Sequence, residues 1–237
     1  MISTSSEIPR PLLLGHRGAR KYAPENTFQA FDLALEHGCH GFEFDVRCTA
    51  DRKLVIWHDP TLKRVRIAGT DYHFLCERAQ KGWRKKARTK NPAAIPCLEE
   101  VLAGFRGRAY LNVEVKVPGI EKEVVAAIAA SPPSRGYLVS SFQPEVVLNL
   151  RAANPALSMG WIVRDRRLLA SWRQIESNVL VAHHSLVSRG LLEAVHEAGR
   201  KLFVWTVNRP KLMLELADWG VDAVISDDTR LLASTLG

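Results

Sequence analysis

Short apolar runs alternate with amphipathic stretches along most of the chain. The runs at 12–17, 41–47, 110–116, 137–142, 158–163, 178–183, 201–207 and 222–226 have the length and residue content of strands. The stretches at 26–37, 98–106, 120–130, 144–153, 166–176, 188–199, 210–219 and 229–235 space their apolar residues as helices do. Strands that alternate with helices imply a parallel sheet with helical crossovers. Eight such units in 237 residues predict an α/β fold, the (β/α)8 TIM barrel, with residues 1–237 as a single domain. A doubly wound open sheet is the competing arrangement, but its first turn usually reads GxGxxG, and here the turn is GHRGAR.

Local signals mark several boundaries. Asn26 or Glu25, after Pro24, would cap the first helix, and Gly38 would end it. Pro144 and Pro210 fit the first turns of their helices. One region breaks the alternation. Residues 54–58 form an extra strand, joined to 41–47 by a turn at Asp51, Arg52 and Lys53, and 60–96 is a long inserted excursion. Excursions of this length are usually lids or binding loops.

Apolar residues make up 46% and charged residues 24%, which excludes a globally disordered chain. The net charge of +8 favours anionic ligands without specifying them. Much of it lies in one run, Lys81, Arg84, Lys85, Lys86, Arg88 and Lys90. A solvated loop is the first reading of this run, and contact with an anionic substrate or membrane surface is the second. Nucleic acid is not an expected partner, because Trp83 is the run's one aromatic residue and no nucleic-acid module is recognisable. The four cysteines (Cys39, Cys48, Cys76, Cys97) show no CxxC or zinc spacing and read as reduced thiols of a cytoplasmic protein. Residues 1–11 are polar and the apolar LLL that follows is short, so neither a signal peptide nor an integral membrane segment is expected. The oligomeric state is not legible.

Candidate chemistry gathers at the predicted strand ends. Glu43 and Asp45 lie two apart on one strand and so face the same way, toward a barrel interior. Like charges there need neutralising, either by Arg and Lys in a barrel layer or by a divalent cation. Glu114 and Lys116 repeat the spacing on the next strand, and three carboxylates without a thiolate favour a hard ion, Mg2+ or Ca2+. His16 and His58 end the first strand and the hairpin strand, where two imidazoles would serve proton transfer to and from reacting oxygens. Arg17 and Lys116 are candidates for phosphate oxygens, although Lys116 alone would read as a surface or salt-bridge residue. Trp205 fits a barrel core as well as it fits a substrate wall, and His183 and His184 fit a structural role at the end of the sixth strand. The set points to metal-assisted hydrolysis of a phosphate ester.

In order along the chain, HRG at 16–18, PENT at 24–27, Glu43-x-Asp45, HD at 58–59, IPCLEEVL at 95–102, NVEVK at 112–116, SSF at 140–142, VWTVN at 204–208 and GVDAVISDD at 220–228 resemble the glycerophosphodiester phosphodiesterase family, in particular its small cytosolic bacterial members. The resemblance covers about residues 12–235. It implies a TIM barrel that cleaves a small-molecule glycerophosphodiester to sn-glycerol 3-phosphate and an alcohol. Glu43, Asp45 and Glu114 would hold one divalent cation, Mg2+ or Ca2+. His16 and His58 would be the acid–base pair, Arg17 and Lys116 would contact the phosphate, and Trp205 would line the glycerol side, with Asn26 and Asp59 in support. Two departures stand out. Cys97 replaces the family's threonine, as a small packing change or an exposed thiol. TLKRVRIAGTDYHF after His58-Asp59 matches the family's pocket-shaping segment poorly. The basic run at 81–90 makes a lysophospholipid substrate an alternative, and a barrel that binds phosphoesters without turnover is a more distant one.

Overall fold

The computed structural model describes residues 11–83 and 95–237. In chain order its strands are β1 (Leu12–His16), β2 (Gly41–Cys48), β3 (Leu54–Ile56), β4 (Thr61–Leu62), β5 (Val65–Arg66), β6 (Tyr110–Val115), β7 (Tyr137–Ser141), β8 (Met159–Val163), β9 (Val179–His183), β10 (Lys201–Trp205) and β11 (Ala223–Ser226). The α-helices are α1 (Phe28–Glu36), α2 (Tyr72–Trp83), α3 (Leu98–Phe105), α4 (Glu121–Ala130), α5 (Pro144–Ala153), α6 (Arg166–Ala170), α7 (Arg189–Glu197), α8 (Pro210–Trp219) and α9 (Thr229–Leu236). Strands β1, β2 and β6 to β11 pair in parallel, each with the next, and β11 returns to β1. The expected (β/α)8 barrel is therefore closed. Strand β3 adds antiparallel to the distal half of β2, with Val46 opposite Ile56.

Alternation along the strands builds two cores. Inward residues such as Leu14, Leu138, Ile162, Val181, Phe203 and Ile225 fill the barrel. Outward residues meet the helices, as where Phe31 of α1 stacks on Phe42 of β2 with ring centroids 4.2 Å apart. Gly41 lies opposite Tyr110, and a Cβ there would fall 1.9 Å from the Tyr110 carbonyl oxygen. Gly41→Ala is expected to destabilise the fold by about 3 kcal/mol or more, because backbone must shift between two central strands. Urea unfolding checks this, and a midpoint equal to wild type would contradict it.

The described part of the excursion is folded, with a hairpin and a helix. Helix α2 and the β4–β5 hairpin bury Leu62, Ile67, Leu75, Cys76 and Ala79 with Val55 and Ile95 in a small core of their own against β3. The long helix went unseen because its polar residues outweigh its narrow apolar stripe. Of the basic run, Lys81 falls in α2, while Arg84, Lys85, Lys86, Arg88 and Lys90 lie outside the described residues, as does the polar N-terminal segment 1–10. Two other boundaries moved. Thr27, not Asn26 or Glu25, caps α1, its hydroxyl accepting from Ala30 N–H at 3.2 Å. The helix expected at 166–176 stops at Ala170, and the turn beyond it buries Trp172 against the barrel. Among the described residues, no helix is long and apolar enough to cross a membrane. The four cysteines are free and buried; Cys97 sits at the start of α3, so the exposed-thiol reading of that substitution fails.

Candidate active site

The residues singled out at the strand ends converge on one mouth of the barrel. Register fixes much of the arrangement: His16 is level with Glu43, and Asp45 with Glu114. The cavity at this mouth has a volume of about 370 Å³ and is lined by His16, Arg17, Glu43, His58, Glu114, Lys116 and Trp205, among others. None of residues 60–80 contributes to its lining.

The first two motifs are locked together. Arg17 and Asn26 both adopt left-handed backbone, with φ of +53° and +58°, and Asn26 N–H donates to the Arg17 carbonyl at 3.1 Å. Such strain in non-glycine residues persists only where neighbours enforce it. Gly18, at φ +76°, packs so close to α1 that a Cβ would lie 2.6 Å from the Ala30 carbonyl carbon. Glu25 then grips Arg17 Nη1 at 2.9 Å and Arg20 Nη2 at 2.9 Å. Asn26 sends its amide to Asp45 Oδ2 at 2.8 Å, which explains why Thr27 takes the helix cap.

Glu43, Asp45 and Glu114 are buried and can each present an oxygen within 4.8 Å of the others. Glu43 Oε2 accepts the Arg17 N–H at 3.0 Å, while Glu43 Oε1 and Asp45 Oδ1 are buried without a hydrogen-bond partner. Burial, with Asp45 and Glu114 alongside, pushes Glu43 well above the ordinary carboxylate range. Burial and Asp45 push Glu114 up to about 7. Burial would raise Asp45 too, but Lys116, Arg17 and Asn26 outweigh it and hold Asp45 low. Lys116 Nζ lies 3.3 Å from Asp45 Oδ1 and is hydrogen-bonded to Glu114, and Arg17 Nε lies 3.2 Å from Asp45 Oδ2. Basic side chains therefore neutralise Asp45, yet Glu43 and Glu114 stay raised and Glu43 Oε1 is left buried without a partner. An all-oxygen set with these deficits fits a hard divalent cation.

Each histidine has a carboxylate behind it. His58 Nδ1 is 2.8 Å from Asp59 Oδ1, and the backbone carbonyl of His58 is held by Arg47 Nε at 2.8 Å. Burial lowers the His58 pKa despite the carboxylates of Asp45 and Asp59. His16 Nδ1 is 2.7 Å from Asp227 Oδ1, and His16 Nε2, on the cavity side, is 3.9 Å from Glu43 Oε2. Asp227 is itself fixed by Asn208 Nδ2 at 2.7 Å. Burial would raise Asp227, but the His16 contact, Asn208 and Arg20 overcome it and hold it at about 2. Trp205 stands edge-on to Phe142 and His183, with centroids 5.4 and 5.3 Å away, and its Nε1 donates to the Val181 carbonyl at 3.3 Å. His183 thus braces Trp205, while neither it nor His184 lines the cavity.

Sequence reasoning left Asp227, Asn208 and Arg20 without a role and offered Glu25 only as a helix cap. Counting by twos from Ile225, an inward residue, would have put Asp227 on the interior line of β11. Glu25 gave no comparable signal, because its partners lie across a loop.

The glycerophosphoryl diester phosphodiesterase family pattern matches residues 16–231. The glycerophosphodiester phosphodiesterase of Caldanaerobacter subterraneus subsp. tengcongensis is 32% identical over 235 residues, or 94% of this chain and 96% of that protein. The crystal structure of glycerophosphodiester phosphodiesterase from Agrobacterium tumefaciens aligns with a TM-score of 0.80 at 26% identity, over 94% of this chain and 99% of that one. An Oleispira antarctica phosphodiesterase in complex with the product sn-glycerol-3-phosphate aligns with a TM-score of 0.77 at 26% identity, over 95% and 96%. The chain belongs to the glycerophosphoryl diester phosphodiesterase family and is an enzyme of that kind.

Proposed function

We propose that this enzyme, a single barrel domain, adds water across the phosphorus–oxygen bond to the alcohol of a glycerophosphodiester, releasing sn-glycerol 3-phosphate and the alcohol. The convergence of two carboxylate-backed histidines, a buried acidic trio and two cations on one cavity carries this reading. Glu43, Asp45 and Glu114 would hold one Mg2+ or Ca2+. Such an ion, when bound, supplies positive charge to the phosphoryl oxygens. Arg17 and Lys116 orient the phosphate, and Trp205 packs on the glycerol. His58, kept neutral by burial, takes the proton of the attacking oxygen at its Nε2, because Asp59 holds Nδ1. His16 Nε2 delivers a proton to the departing alkoxide, with Asp227 fixing the ring through Nδ1. The basic run behind the lysophospholipid alternative lies largely outside the described residues.

Asp227→Asn is expected to lower kcat by about 100-fold with KM nearly unchanged, since it disturbs the orientation of His16 and not substrate contacts. Steady-state kinetics check this, and an unaltered kcat would remove Asp227 from the account. Phosphorus NMR of a glycerophosphocholine digest tests the reaction itself. Glycerol 3-phosphate is the expected product, and phosphocholine would mean that the other ester bond breaks.

A further inference from the structure

The cavity holds a third cation that this reading does not use. Counting by twos along β8, Gly160 and Ile162 face the barrel interior, and Arg164 continues that line just past the strand end, where it lines the mouth. Extended past the strand ends, the register sets Lys116 beside Phe142 and Phe142 beside Ile162, so Arg164 stands one interior step further out. The Phe142 ring has Lys116 Nζ 5.7 Å from its centroid and Arg164 Cζ 5.9 Å from it. The other two cations of the cavity are committed to carboxylates, Arg17 to Glu25 and Asp45, and Lys116 to Glu114 and Asp45. Arg164 differs. Among the described residues its ion-pair partner is Asp165, with Nε–Oδ2 at 3.7 Å, and the other oxygen of Asp165 caps α6 through Leu168 N–H at 2.9 Å. Among the described residues, Glu43 and Glu114 are the carboxylates that line this cavity.

We propose that Arg164 forms a subsite for a second anionic group on the substrate, so that the enzyme prefers glycerophosphodiesters carrying an additional phosphate or carboxylate. The proposal rests on the function given above and adds the class of diester. A fork of guanidinium donors at the mouth suits a phosphate or carboxylate. The same wall is unfavourable to a quaternary ammonium, which would seek an open aromatic face, because Phe142 already has two cations beside it.

The test compares kcat/KM for bis(glycerophospho)glycerol, glycerophosphoserine and glycerophosphocholine in wild type and Arg164→Gln, with the supporting divalent cation present. Wild type is expected to favour at least one anionic diester over the choline diester by about fivefold, the scale of an exposed ion pair. Arg164→Gln should erase that preference while sparing turnover of the choline diester. The two anionic substrates separate a phosphate from a carboxylate as the group recognised. Turnover of all three without preference, or a preference that survives Arg164→Gln, overturns the inference and leaves the phosphodiesterase reading standing. Turnover of none with any divalent ion overturns that reading and this inference with it. Calorimetry with glycerol 1,3-bisphosphate and glycerol 3-phosphate gives a readout without turnover: the bisphosphate should bind about fivefold tighter in wild type and equally in the variant, and equal binding in wild type would count against the subsite.

Discussion

His58→Ala is expected to lower kcat by about 1,000-fold or more and to leave the folded structure intact. The imidazole is half-buried at the cavity edge, where its Nδ1 meets Asp59. Its removal therefore deletes a proton acceptor and little packing. Circular dichroism and an unfolding midpoint within about 1 kcal/mol of wild type would show that the loss is chemical. A pH profile adds a sign. A base must be unprotonated, and burial lowers the His58 pKa from its ordinary 6.5, so the acid limb of kcat/KM should fall below 6.5. Near-wild-type turnover in His58→Ala would sink the acid–base assignment, and an acid limb well above 6.5 would remove His58 as the base.

The second large effect concerns the acidic trio. Chelator-treated protein is expected to be inactive, and the thermal stabilisation given by a divalent cation should be larger at pH 8 than at pH 5, because the trio's own contribution to stability falls as pH rises. The sign follows from the shifts. Glu43 and Glu114 have folded-state pKa values above their ordinary 4.5, so their contribution is fully present below 4.5 and is lost as pH rises through the folded value, about 7 for Glu114. Asp45 and Asp227 are shifted the other way; their contribution is present above 3.8 and is lost as pH falls through the folded value, about 2 for Asp227, outside that window. Melting curves at pH 5 and pH 8, with chelator and with added Mg2+ or Ca2+, measure the effect. Identical curves with and without the ion would argue that the trio is neutralised by Arg17 and Lys116 alone.

Much of this site was legible because strand geometry is periodic. A spacing of two was enough to put Glu43, Asp45, Glu114 and Lys116 on interior lines, and the alternation of strands and helices was enough for the barrel. The same count extends to Asp227 and Arg164, each just beyond a strand that ends in apolar interior residues. What escaped the pattern depends on loops. The grip of Glu25 on Arg17 and the exchange by which Asn26 serves Asp45 while Thr27 caps α1 require the left-handed backbone at Arg17 and Asn26, which residue types do not announce. Helix α2 was missed for a different reason: its stripe covers a small core of its own, Leu75, Cys76 and Ala79 over Leu62 and Ile67, and not the barrel.

The most direct test of the account is a metal add-back assay on the purified chain. The protein is stripped with a chelator and supplied with a mixture of glycerophosphodiesters, and sn-glycerol 3-phosphate release is followed without metal and with Mg2+, Ca2+ or Mn2+. The account predicts no release from the stripped protein and restored release with at least one divalent ion. Full release from the stripped protein would contradict the role given to Glu43, Asp45 and Glu114, and no release with any ion would contradict the proposed reaction.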